Sequence, residues 1–332
     1  MERIGGIAEG HAATADQSEL IASDGRRRVS ETVISVHGLR VSYGDFEAVR
    51  GIDLEVSRGE VFAFLGPNGA GKTTTVEVLE GYLKRTGGEV SVLGVDPQHG
   101  DPEWRECVGV VLQESAVEPD VTVRETLELF AGYYGSPRDV DELIELVGLT
   151  GKADVLGGHL SGGQRRRLDV ALALVGDPEL VFLDEPTTGF DPSARRAAWE
   201  MIAGLQALGK TIFLTTHYME EAEYLADRIC VLAAGRIVDE GTPETLGGRD
   251  TAPTEISFVL PVGVDQVSLP AGLAELASAQ NHGRTELCSQ EPLAVLVRLA
   301  AWSQEHGFEL ADLEVHRPTL EDIYLRLTEG QK

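Results

Sequence analysis

Apolar residues in this chain of 332 residues fall into two kinds of run. Four are short and continuous: VFAFL (61–65), VGVVL (108–112), LVFL (180–183) and TIFLTT (211–216). They have strand length and no polar face, as expected of strands covered on both sides in a parallel sheet. Each delivers a polar group at its C-terminal end: a glycine loop from Gly66, then Gln113, Asp184 with Glu185, and His217. Ligands of open α/β sheets bind at that edge, so these residues are the first candidates for a site.

The remaining apolar positions are spaced with polar ones. Residues 33–60 and 88–93 predict an antiparallel lobe, and 114–147 predicts an inserted helical lobe from ESAVEPDVTVRETLELFAGYYG and DVDELIELVGL. Leu127, Leu129, Phe130, Tyr133 and Tyr134 are assigned to the core of that lobe rather than to a docking surface. After TPETLGGRDTAP the pattern changes. EISFVL, RTELCS and FELADLEVHR predict strands, and PLAVLVRLAAWSQEH and TLEDIYLRLTE predict amphipathic helices, together a small α+β domain over 249–332. The helix 318–328 is expected to pack on that domain's own sheet through Leu320, Ile323, Tyr324 and Leu327, with contact to an opposite subunit as the alternative. Residues 1–31 show no period and predict a mobile tail, leaving 32–248 as the principal domain.

The loop after the first strand, GPNGAGKTT, comprises Gly66, Pro67, Asn68, Gly69, Ala70, Gly71, Lys72, Thr73 and Thr74. Its glycines let backbone N–H groups turn inward around an anion, and the helix starting near Gly71 adds its positive end. Lys72 can then reach the β- and γ-phosphates, and Thr73 can bind Mg²⁺. By chance the pattern GxxxxGK[ST] occurs in roughly one chain in a hundred of this length. Asp184, ending an apolar strand, suits a hard cation, and the adjacent Glu185 suits a general base on water. Strand alternation is expected to send the two carboxylates to different sides.

A second anion site is legible in LSGGQ (160–164), where Ser161 can cap the helix through RRRLDVALALV while Gly162 and Gly163 leave room for phosphate. Loop, LSGGQ, LVFLDE and His217 follow in that order, and from about Val33 to Gly241 the chain resembles the ATP-binding subunit of an ABC transporter. The resemblance implies a P-loop α/β fold of ABC type, with a parallel-sheet core, an antiparallel β lobe and a helical lobe. It implies that Tyr43 stacks on adenine, that Gln113 contacts the metal or the attacking water, and that His217 contacts the γ-phosphate. It also implies that Ser161, Gly162, Gly163 and Gln164 face a nucleotide held by a second subunit, with Asp191 at the interface. Asp191 also reads as an N-cap before Pro192. Phe190 stands where the family commonly has Leu.

Composition narrows the partners. A net charge of −27 argues against nucleic-acid binding. The runs RRR at 26–28 and 165–167 are expected to be solvated surface or interface charge. Three cysteines without metal spacing fit a reducing cytosol. No apolar stretch reaches the ~20 residues that span a bilayer, so the pore is expected in a separate transmembrane permease.

The expectation is therefore an ATP- and Mg²⁺-dependent ATPase at the cytoplasmic face of a bacterial membrane, paired with a second copy or a homologous nucleotide-binding subunit. The tail resembles that of drug-resistance-type export ATPases, which implies export of a hydrophobic compound such as a drug, antibiotic or lipid. The alternatives are an importer subunit and a soluble ABC ATPase acting on ribosomes or DNA. A P-loop kinase or GTP switch leaves LSGGQ and His217 without work.

Overall fold

The computed structural model describes residues 31–112, 117–261, 269–270, 272–281 and 284–329. The expected tail falls almost wholly outside them, as do Gln113 and the first RRR run.

The central sheet carries the four apolar runs. β1 (Thr32–Tyr43), β2 (Phe46–Ser57), β3 (Val61–Leu65), β4 (Gly87–Val92), β5 (Val108–Val111), β6 (Leu180–Asp184), β7 (Thr211–Thr216), β8 (Arg228–Ala233) and β9 (Arg236–Gly241) form two sheets. The larger has the order β5-β6-β7-β3-β8-β9, parallel except for the β8–β9 pair. The smaller, β2-β1-β4, is antiparallel and matches the expected β lobe.

Alternation sorts even fully buried strands by face. Phe62 and Phe64 of β3, Phe182 of β6 and Phe213 of β7 turn toward the antiparallel lobe, their rings meeting at 5.4–5.6 Å around Phe213. Val61, Leu183, Ile212 and Leu214 turn the other way, onto the helices. Aromatic contacts of this kind add to the burial of each ring, itself worth ~1.5–3 kcal/mol.

α1 (Lys72–Leu79) follows β3, and α2 (Pro102–Glu106) precedes β5. The helical lobe contains α3 (Val123–Ala131) and α4 (Val140–Leu146), with Thr122 and Glu125 forming a capping box on α3 and Asp139 capping α4. Its aromatic face corrects the expectation: Leu127 is fully buried, Tyr134 is partly so, and Leu129, Phe130 and Tyr133 are exposed. A short lobe with two helices has too little interior to cover them all. Between this lobe and the core opens a groove of about 550 Å³, lined among others by Glu80, Tyr82, Trp104, Phe130 and Tyr134. α5 (Gly162–Leu174), α6 (Pro192–Ala207) and α7 (Met219–Leu225) complete the layers around the sheet.

Beyond residue 253, β10 (Thr254–Val259), β11 (Ala277–Asn281), β12 (Arg284–Ser289) and β13 (Ala311–His316) make an antiparallel sheet of order β11-β12-β10-β13. β11, sequence ASAQN, lacks the apolar pattern that marks the other three. α8 (Pro292–His306) packs on this sheet through Val295, Leu299 and Trp302 around Ile256 and Phe258.

The last helix, α9 (Leu320–Thr328), does not pack there. Leu320, Ile323 and Tyr324 are buried with Ala63 and Leu65 of β3, Ile229 and Val231 of β8, Ala222 of α7 and Leu246. This replaces the expected packing on the small sheet with a seat on the principal core. Gly247 makes the close approach possible: at φ +60°, a Cβ there would lie 2.4 Å from the Ile323 side chain. Arg249 fastens the junction, donating to the Pro318 carbonyl at 2.9 Å and pairing with Glu223 of α7 at 2.8 Å.

Candidate nucleotide site

The phosphate loop leaves β3 at Gly66 and enters α1 at Lys72. Gly71 caps the helix at φ +105°, and a Cβ on it would meet the Ala48 carbonyl at 2.7 Å, so only glycine fits. Pro67, Asn68 and Gly69 are exposed, Ala70 is buried, and Thr73 and Thr74 stand in the first turn of α1. Lys72 is 7% exposed, and its ammonium donates to the Gly66 carbonyl at 2.7 Å. Burial pushes its pKa down, and the carboxylates of Glu185 and Asp184 oppose that shift.

Asp184 ends β6, and its carboxylate accepts the Thr215 hydroxyl of β7. Glu185 departs from the expected strand alternation. It sits at φ +44°, in the left-handed region, with its N–H on the Thr215 carbonyl and hydroxyl, each at 3.1 Å. A turn rather than a pleat therefore separates the two carboxylates, at a backbone cost of ~1–3 kcal/mol that the surrounding contacts offset. The Glu185 carboxylate meets His217 Nδ1 at 3.2 Å and accepts the Thr188 hydroxyl at 3.2 Å. The expected residues Lys72, Asp184, Glu185 and His217 are thus brought to one edge of the sheet. Thr215 and Thr188 were missed by sequence reasoning; the signals were a threonine just after the DE pair and the polar end of the TIFLTT run.

Ser161 caps α5 as expected. Its hydroxyl accepts from the Gln164 N–H at 3.3 Å while the Gln164 side chain accepts from the Ser161 N–H at 3.0 Å, a reciprocal box. Gly162, Glu185, Gly189 and Phe190 line one cleft of about 210 Å³ together with Arg166. None of residues 66–74 lines it. Asp191 caps α6 through Ser193 and Ala194, with Pro192 at the first helical position. Tyr43 and Phe46 are exposed partners across the β1–β2 turn, at the tip of the hairpin whose Ala48 touches Gly71.

One expectation is overturned. The run 165–167 is not solvated charge throughout: Arg166 is 7% exposed and donates to the carbonyls of Leu112, Asp184 and Pro186. Buried carbonyls left at strand ends need donors, and a guanidinium offers five.

Comparison with known proteins places this architecture. A family model described as ABC transporter matches residues 49–188, and one described as the C-terminal domain of ABC transporter domain-containing protein-like chains matches 254–319. The chain is 41% identical over 308 residues to Nod factor export ATP-binding protein I of Ralstonia nicotianae, covering 90% of this chain and 94% of that one. Among solved structures it is similar to cbiO1 from Clostridium perfringens, part of the ABC transporter complex cbiONQ, with TM-score 0.59 and 28% identity over 64% of this chain and 90% of that one. It is also similar to the dimeric, post-hydrolysis ATP-binding cassette MJ0796 bound to ADP and Pi, with TM-score 0.57 and 25% identity over 63% and 98% of the two chains. Fold, motif order and relatives agree, and the chain belongs to the ATP-binding subunits of ABC transporters, the ATPases whose hydrolysis is coupled to transport.

Proposed function

We propose that this chain hydrolyses ATP to drive a membrane exporter of a hydrophobic compound such as a drug, antibiotic or lipid. The observation that carries the catalytic part is the Glu185 carboxylate, oriented by His217 and Thr188 beside Asp184 and within electrostatic reach of the Lys72 ammonium. Export direction is supported by the relative named for Nod factor export, which does not favour the importer reading.

In this reading Gly66, Pro67, Asn68, Gly69, Ala70, Gly71, Lys72, Thr73 and Thr74 hold the phosphates, and Tyr43 stacks on adenine. Glu185 takes the proton of the attacking water, and His217 contacts the γ-phosphate while holding the carboxylate in place. Gln113 is assigned to metal or water by resemblance alone. The donors beside the loop, a Thr73 hydroxyl and the Asp184 carboxylate, are hard oxygens that fit Mg²⁺, which supplies charge neutralisation on the phosphates when bound.

Ser161, Gly162, Gly163, Gln164 and Asp191 complete the site of a second nucleotide-binding subunit. That none of residues 66–74 lines the cleft at Gly162 supports the sharing, and so does the dimeric relative. Among the described residues no helix is long and apolar enough to cross a membrane. A separate permease is therefore the proposed partner, docking at the groove between core and helical lobe, with the subunit peripheral to the cytoplasmic face. The division into a nucleotide-binding domain at 32–248 and an accessory domain at 249–332 is proposed with one amendment, that α9 shares the first domain's core.

The test is ATP-dependent phosphate release and export in membranes carrying the subunit with its permease. Glu185→Gln should bind ATP and stop both; hydrolysis at the unchanged rate would refute the catalytic assignment.

A further inference from the structure

Arg166 stands four residues after Gly162, so both lie on one face of α5, and both line the cleft that holds Glu185. Its guanidinium spends its donors on backbone. Nε reaches the Pro186 carbonyl at 3.1 Å, Nη2 the Asp184 carbonyl at 2.7 Å, and Nη1 the Leu112 carbonyl. Asp184 and Pro186 flank Glu185, and Leu112 directly follows β5. One side chain therefore holds the carbonyls of the residues before and after Glu185 and ties the ends of β5 and β6 to the second turn of the helix that Ser161 caps.

The clamp has a specific physical use. Glu185 sits in left-handed backbone, a conformation that persists only where neighbours over-determine it. Thr215 holds its N–H, and Arg166 holds the carbonyls before and after it. A guanidinium presents its donors in a fixed plane, so a shift or rotation of α5 moves these carbonyls together. Asp169, Asp184 and Glu221 supply opposing charge to the buried cation.

We propose that Arg166 is a positioning residue that couples the seating of the Ser161–Gln164 helix start to the orientation of Glu185. A nucleotide approaching the start of α5 then sets the carboxylate that acts in this chain's own site. This rests on the reading of Glu185 as the base. It assigns to the middle arginine of the 165–167 run a role distinct from phosphate contact, because its hydrogen bonds to Leu112, Asp184 and Pro186 all end on carbonyl oxygens.

The experiment compares the full chain with Arg166→Gln, Arg166→Lys, Glu185→Gln and the double variant Arg166→Gln/Glu185→Gln. Steady-state ATP hydrolysis, binding of a fluorescent ATP analogue and melting curves are measured for each. Arg166→Gln should lower kcat about a hundredfold while ATP affinity stays within about threefold, the scale set by a small misplacement of a reacting group. Arg166→Lys, which keeps the charge and reaches fewer carbonyls, should recover part of kcat. The double variant should be no slower than Glu185→Gln alone, since Arg166 acts through that carboxylate.

A wild-type kcat in Arg166→Gln, a matching loss of affinity, or further slowing in the double variant would overturn the proposal. So would failure of both Arg166 variants to fold, which would make the residue purely structural. Glu185→Gln hydrolysing at the wild-type rate would instead overturn the base assignment itself, whatever the Arg166 variants do.

Discussion

His217 Nδ1 lies 3.2 Å from Glu185 Oε1, joining the residue that follows β7 to the one that follows β6. The two strands are adjacent in the sheet, with Asp184 opposite Thr215. The pairing is thus a product of parallel register: neighbouring strands that run the same way end at one edge, with Glu185 one residue past Asp184 and His217 two past Thr215. Glu185 adds a left-handed turn that takes it out of the pleat.

Replacing that carboxylate should separate binding from chemistry. Glu185→Gln keeps the shape and the Thr188 contact but not the base, so hydrolysis should fall at least ~100-fold. ATP binding should persist and a nucleotide-bound dimer should accumulate, read by size-exclusion chromatography with Mg-ATP. Lys72→Ala should instead weaken ATP binding itself.

Ser161→Arg should bind ATP normally yet fail to hydrolyse it, because bulk and charge at the start of α5 obstruct the other subunit's phosphate. Mixed with Lys72→Ala, it should regain activity through a hybrid site built from Lys72 of one chain and Ser161 of the other. No regained activity in a demonstrated hybrid would count against shared sites.

The seat of α9 makes truncation more damaging than a separate tail would be. Ile323→Ala removes a fully buried side chain against β3 and β8 and should cost ~2–5 kcal/mol. Ending the chain after Gly248 should lower Tm further and weaken ATP binding, since Leu65 of the same cluster directly precedes the phosphate loop. Excising 254–319 while retaining α9 should spare both. Unchanged melting on loss of α9 would refute this.

Glu80 predicts a pH dependence. Burial raises its carboxyl from 4.5 to about 8, with Asp184 and Glu77 adding repulsion. An unfolded chain releases this proton near the lower value, and the native state keeps it to the higher one. Between them the unfolded state binds fewer protons, so the Glu80 contribution to stability falls as pH rises through that window and is level outside it. Glu80→Gln, which cannot ionise, should melt progressively higher than the parent chain from about pH 5 to about pH 8, by several degrees at the upper end. A constant Tm difference across that range would refute the buried-carboxyl account.

Local patterns determined most of the frame. The apolar runs of β3, β5, β6 and β7, the phosphate loop, and the caps at Ser161 and Asp191 each depend on residues within a few positions of one another, so they were legible in the sequence. With them came the family and the residues gathered at the sheet edge. Tertiary structure decided what depends on distant partners. Arg166 is buried because strand ends 54 and 18 residues away present carbonyls to it, which no run of three arginines reveals. α9 has the same amphipathic spacing whichever surface receives it, and the choice fell to the gap that Gly247 leaves beside Ile323. The left-handed turn at Glu185 likewise comes from Thr215 on the neighbouring strand, because a glutamate alone has no preference for that backbone.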